Sequence, residues 1–240
     1  MLQTIPSNSQ QFRALLITKT RGWHHASINE GVAAMKELSV KHQFDLQWHQ
    51  ESSKITDQYL ERFNVLIFLN TTGDIFTADE KNAIENFIRS GKGYVGVHAA
   101  SDTEYDWEWY TRLVGRMFVI HPAIQTAKLR FTGKAFPGLH GFVDGQLWTE
   151  EWYTFSEEKV KGLEYILAVD ESTYSPAAES KAKNVKSAGM GAFHPVAWYH
   201  EFDGGRSFYT ALGHMPTDYT DASFLSHLYG GIYWAATGKK

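Results

Sequence analysis

Gly91-Lys92-Gly93-Tyr94-Val95-Gly96-Val97-His98-Ala99-Ala100-Ser101-Asp102 decides how the rest of the chain is read. Tyr94 to Val97 is a short apolar run of the kind a buried parallel strand uses, and it runs straight into a polar turn. The large polar side chain of His98 stands among small ones, Gly96, Ala99 and Ala100. That pattern fits a sharp strand-to-helix elbow, where a reactive side chain is held up above a sheet and its neighbours must be small. Such elbows usually carry Ser or Cys. In this chain the residue is His98, expected to serve as an acid/base group, and for that its ring should be open to solvent.

Working outward, apolar runs at 12–18, 44–49 and 65–69 alternate with helical patterns. Ser27 with Glu30, and Thr77 with Glu80, have capping-box spacing and mark two helix starts. A short helix is expected at 56–62. This βαβαβαβ rhythm predicts an α/β fold, a flavodoxin-like parallel sheet with helices on both faces and strand order 2-1-3-4. Beyond a helix at 107–114 the pattern changes. Strands at 124–132, 147–155 and 163–170 predict an antiparallel β extension on the sheet edge. Residues 173–191 read as a mobile loop. Strands at 193–202 and 206–212 flank Asp203-Gly204-Gly205, a hairpin signal, and a helix at 222–236 closes the chain. One domain over 12–238 is expected, preceded by a polar tail at 1–11.

The 240 residues carry a net charge of -4 with no basic block, which argues against a nucleic-acid partner. No run reaches the length of a membrane span. Residues 1–11 lack a leader pattern, so the expected compartment is the cytoplasm, or the periplasm if a signal peptide has been trimmed. A homo-oligomer stays open. The chain has no cysteine, which excludes disulfides, thiolate metal sites and a cysteine nucleophile. Eleven His and 15 % aromatics instead suggest a site for a polar ring-shaped ligand such as a small-molecule carbohydrate.

The carboxyl ends of neighbouring parallel strands should bring together His24-His25, Asn70 with Thr71, and His98. Expected catalytic groups are His98, His25, His214 and Glu151. Expected substrate-binding groups are His24, Trp23, Asn70, Thr71, Asp102, Trp107, Tyr110, His121, Trp152 and His194. Adjacent side chains diverge, so which of His24 and His25 faces the site stays open, as does the choice between Glu150 and Glu151. No local ligand spacing such as H-E-x-x-H occurs. A divalent metal such as Zn would need ligands from separate loops, with His25, His98, His121, His214 and Glu151 as candidates.

Arg21-Gly22-Trp23-His24-His25, the elbow, Glu150-Glu151-Trp152-Tyr153, Pro195 to Trp198 and Arg206 to His214 together resemble the ThuA-like, or trehalose-utilisation, family. The resemblance covers nearly the whole chain. It implies a fold like that of class I glutamine amidotransferases, with histidine at the place of their cysteine nucleophile. It also implies a role in utilisation of trehalose or a related disaccharide or keto-glycoside. The expected activity is acid/base chemistry of a sugar isomerase or hydrolase type. A non-catalytic sugar-binding or sensing protein and a metal-dependent hydrolase are the alternatives.

Overall fold

The computed structural model describes residues 10–50, 55–133 and 135–240; the first nine residues of the expected tail lie outside them. The parallel strands β1 (Arg13–Ile17), β2 (Asp45–His49), β3 (Val65–Leu69) and β4 (Gly93–Val97) are linked by α1 (Ile28–His42), α2 (Asp57–Leu60) and α3 (Ala78–Arg89). β3 and β4 are buried at every position, as strands covered on both faces must be. After β4 come α4 (Glu108–Val114), β5 (Phe118–Ile120), β6 (Gln125–Phe131), β7 (Leu147–Glu150), β8 (Thr154–Phe155) and β9 (Glu164–Asp170). The chain ends with β10 (Ala178–Ser180), β11 (Val185–Ser187), β12 (His194–Phe202), β13 (Gly205–Thr210) and α5 (Ala222–Thr237).

Among the described residues the main sheet has the order β2-β1-β3-β4-β13-β12-β9-β6-β7. The expected 2-1-3-4 core is present, and β13 extends it in parallel against β4. From β13 onward all pairings are antiparallel. The β12–β13 turn has positive φ at both Asp203 (49°) and Gly204 (87°), the geometry of a tight type I′ hairpin. In β13, Ser207 donates to the Leu113 carbonyl of α4, and the ring of its neighbour Phe208 lies against Gly231 of α5. Adjacent strand residues point to opposite faces, so α4 and α5 cover opposite sides. A Cβ at Gly231 would come within 2.2 Å of that ring, so only glycine lets α5 approach so closely.

Three local expectations are corrected. Thr77 and Glu80 form the capping box, but Ser27 makes no cap bond: its hydroxyl accepts from the Asn70 amide and donates to the Gly213 carbonyl instead. The strand expected at 147–155 breaks at 151–153, and β8 leaves the main sheet to pair with β5. The loop expected at 173–191 contains the β10–β11 hairpin, pinned where Glu171 accepts from the Met190 and Gly191 amides.

Candidate functional site

β4 delivers His98 into a 3₁₀ turn with φ of 48°, the left-handed region that an L residue enters at a cost of about 1–2 kcal/mol. The elbow is therefore real, and its strain is sustained by specific bonds. The Tyr209 hydroxyl donates to the His98 carbonyl at 2.7 Å, and His98 Nδ1 lies 2.7 Å from the Ala211 carbonyl. A carbonyl only accepts, so Nδ1 carries the ring proton and Nε2 is left with a lone pair. The ring has no exposed surface, which corrects the expectation of an open imidazole.

That lone pair points into a cluster. His98 Nε2 lies 3.2 Å from His214 Nδ1 and 3.5 Å from Glu151 Oε2, and the last two atoms are 3.1 Å apart. His25, from the loop after β1, completes a group whose ligand atoms all lie within 4.8 Å of one another. Its ring meets those of His98 and His214 edge-on, and its buried Nδ1 has no hydrogen-bond partner. Burial, then the neighbouring imidazoles, lowers the His25 pKa to about 3, and burial also lowers that of His98. Burial pushes Glu151 upward, but the His214 and His98 imidazoles that face it outweigh that and hold its carboxyl below the usual range. The cluster therefore gathers imidazole nitrogens, those of His25 and His98 disfavoured from carrying charge, around a carboxylate.

A tetrahedral zinc-type ion with bonds of about 2.0–2.1 Å separates its ligand atoms by about 3.3–3.4 Å. The His98–His214–Glu151 triangle, with edges of 3.1 to 3.5 Å, has the size of one face of that tetrahedron. The hydrogen bond from His98 Nδ1 to a carbonyl is the outer partner that fixes a ligating tautomer. The residues fit a divalent cation.

Glu150 lies beneath. Its Oε2 accepts from the Gly213 amide at 2.8 Å and the His214 amide at 3.4 Å, while Oε1 accepts from the Glu151 amide at 2.8 Å. One buried carboxyl thus braces two cluster residues. Glu151 faces the cluster and Glu150 supports it, which settles the sequence ambiguity.

The cluster opens on a cleft of about 420 Å³ lined by Trp23, His25, Asp102, Phe118, His121, Glu151, Tyr153, Lys183 and His214. Tyr153 lies over His98 with ring centroids 4.3 Å apart, and Phe118 over Tyr153 at 4.2 Å. His121 reaches Glu151 Oε1 at 3.2 Å through Nε2. Trp23 is 71 % exposed at the rim, free to meet a ligand.

Other expected residues lie elsewhere. Tyr110 is buried, bonded to the Tyr94 hydroxyl and the Ala100 carbonyl, and Trp107 stacks on it with its indole N–H given to Glu85. Trp152, between the cleft-lining Glu151 and Tyr153, turns the other way and gives its indole N–H to the Gln125 carbonyl. Asn70 and Thr71 are buried underneath, bonded to Ser27 and Thr103. His24 is exposed and bonds Thr20, so of the histidine pair His25 faces the cluster. His194 spends both ring nitrogens on the Tyr153 carbonyl and Glu171. It edges a larger cavity of about 600 Å³, whose carboxylates are already taken up: Asp170 by Arg130, Glu171 by His194 and two amides.

Sequence reasoning missed Tyr153, Phe118 and Lys183. Tyr153 stands in the Glu150-Glu151-Trp152-Tyr153 motif, two residues from Glu151; Lys183, in a segment read as loop, gave no signal.

The profile of the trehalose-utilisation family (ThuA) matches residues 13–235, and the chain belongs to that family, which supports a role in sugar utilisation. No curated protein matches the sequence. Among solved structures, a ThuA-like protein from Bacteroides uniformis ATCC 8492 superposes with a TM-score of 0.78 at 21 % identity, covering 99 % of this chain and 96 % of that one. A ThuA-like protein from Parabacteroides merdae ATCC 43184 gives 0.68 at 19 % identity, covering 95 % and 91 %. A cytoplasmic protein from Salmonella typhimurium LT2 gives 0.65 at 9 % identity, covering 94 % and 100 %. At these identities the likeness is one of fold. No helix among the described residues is long and apolar enough to cross a membrane.

Proposed function

We propose that this ThuA-family chain is a carbohydrate-processing enzyme that hydrolyses a glycoside or keto-glycoside at a divalent-cation centre formed by His25, His98, His214 and Glu151. The observation that carries the reading is the triangle of two ring nitrogens and a carboxylate oxygen at 3.1, 3.2 and 3.5 Å beside an unpartnered His25 Nδ1. The complete burial of His98 supports a ligand role over that of a free proton shuttle. A zinc-type cation, when bound, supplies Lewis acidity toward a sugar oxygen.

The chain's own groups do the rest. Ala211 and the Glu150 brace hold the ligating atoms in register. Trp23 and Phe118 offer apolar ring faces of the kind that pack on a sugar, and the cleft volume lies in the range of small-molecule sites. Tyr153 seals the floor over His98 and keeps water from that side.

Elemental analysis of the purified protein tests the reading, together with incubation with disaccharides and their 3-keto derivatives before and after chelation. The expected result is a bound divalent cation, turnover seen by mass spectrometry and NMR, its loss on chelation, and its return with zinc or cobalt. Full turnover by metal-free protein overturns the reading.

A further inference from the structure

Asp102 closes the 3₁₀ turn that begins at His98 and enters the same cleft from the side of Tyr105. Its backbone is fixed: the Asp102 carbonyl accepts from Gly73 at 2.9 Å, and Thr103 bridges to Gly73. Its carboxyl has a proton to account for. The Tyr105 hydroxyl lies 2.7 Å from Asp102 Oδ1 and 2.8 Å from the Phe118 carbonyl. Tyrosine has one hydroxyl proton, and a backbone carbonyl has none to give. With Asp102 ionised, one of these two short oxygen–oxygen contacts holds no proton. With Asp102 protonated both are satisfied, Asp102 donating to Tyr105 and Tyr105 to Phe118.

From this arrangement we infer that Asp102 stands in the cleft as a carboxylic acid and is the catalytic proton donor to the leaving oxygen of the glycoside. The inference rests on the hydrolytic reading above and adds a residue to it. Burial drives the Asp102 pKa above the ordinary carboxylate value and Glu151 adds to it; Tyr105, Lys183 and His121 pull the other way without cancelling the rise. These groups reach it from the turn after β4, from the β10–β11 connection and from the segments after β5 and β7. In the step, a water oxygen forms a bond to the anomeric carbon as the bond from that carbon to the leaving oxygen breaks. The released electron pair goes to the leaving oxygen, which takes the proton from Asp102. The surplus proton of the added water then returns to the Asp102 carboxylate, and the group is reset.

The test uses zinc- or cobalt-loaded full-length protein and two substrates, a keto-disaccharide with a sugar leaving group and a keto-glycoside with a nitrophenol leaving group. A nitrophenolate leaves without help, so a lost proton donor shows on the first substrate alone. Asp102→Asn is expected to lower kcat/KM about 10²–10⁴-fold on the disaccharide and to stay within about tenfold on the nitrophenyl substrate. Asp102→Glu should recover part of the loss, and the cobalt spectrum of both variants should match the parent. Independently of turnover, the parent should show a carboxylic-acid infrared band at neutral pH that shifts in deuterium oxide and disappears in Asp102→Asn. Equal loss on both substrates, or absence of that band, overturns the donor role and leaves the metal centre standing. A metal-loaded parent that cleaves neither substrate overturns the hydrolytic reading, and the donor role with it.

Discussion

Two buried groupings of imidazole and carboxylate stand in this molecule, and they end in opposite conditions. Around His194 every polar atom is answered: Nε2 meets the Tyr153 carbonyl, Nδ1 meets Glu171 and the Tyr174 hydroxyl, and Glu171 takes two backbone amides besides. Around His98 the lone pairs converge on one another, and His25 Nδ1 has no partner at all. A buried polar atom left unpaired costs free energy, and His25 Nδ1 is one such atom set beside the ring nitrogens of His98 and His214. Both groupings are buried and both pair imidazole with glutamate. What separates them is whether their hydrogen-bonding capacity is used up, and on the proposed function the first is architecture and the second is chemistry.

The contrast breaks most cleanly by removing one imidazole from each grouping. His214→Ala should lower zinc or cobalt affinity by more than about 100-fold, beyond what loss of an outer partner does, with little change in urea stability of the metal-free protein. His194→Ala should keep the affinity and lose about 1–3 kcal/mol of stability, since it strands Glu171 and the Tyr153 carbonyl. Competition titration and urea melts measure both. Affinity lost in His194→Ala and kept in His214→Ala would exchange the roles of the two groupings.

A smaller effect sharpens the comparison. Glu150→Gln keeps the shape of the brace, but its amide nitrogen cannot accept the backbone N–H that a carboxyl oxygen takes at the same place. Cation affinity should fall about 10–100-fold, with His194 and its partners undisturbed. Unchanged affinity would mean that the brace is dispensable.

The gentlest probe is acid. His25 titrates at about 3 in the folded chain against 6.5 when free, so between those values the unfolded chain binds a proton that the folded one refuses. Stability of the metal-free protein should therefore rise with pH across that window, by at most about 1.4 kcal/mol per unit from this group. Glu151, held low in the fold, acts in the same direction: its contribution is present above the ordinary carboxylate value and is lost as pH falls through its folded one. Urea midpoints at successive pH values should show the slope, and it should shrink in His25→Gln.

Legibility followed the range of the interaction. β1, β3 and β4 were readable because each is a continuous apolar run, and the Asp203-Gly204 turn because its backbone demands those residue types. His98 was readable as an elbow for the same local reason. Its burial was not, since Tyr153, the Ala211 carbonyl and Glu151 arrive from distant segments. Ser27 shows the limit at its plainest: its spacing to Glu30 is that of a capping box, yet Gly213, 186 residues on, takes its hydroxyl. Trp107 and Tyr110 misled because aromatic residues near polar ones look alike whether they line a cleft or fill a core.

The sheet changes direction at β13, and the cluster straddles that line: its imidazoles hang from loops of the parallel half, while Glu151 follows β7 at the far antiparallel edge. A cation seated there ties the two half-sheets together as a rivet does, joining parts that share few neighbours along the chain. By mass action it adds about 4 kcal/mol to the resistance of the whole when free cation stands a thousandfold above its dissociation constant. On the proposed function, metal supply in the surrounding medium would then set the stability of the folded chain as well as its activity.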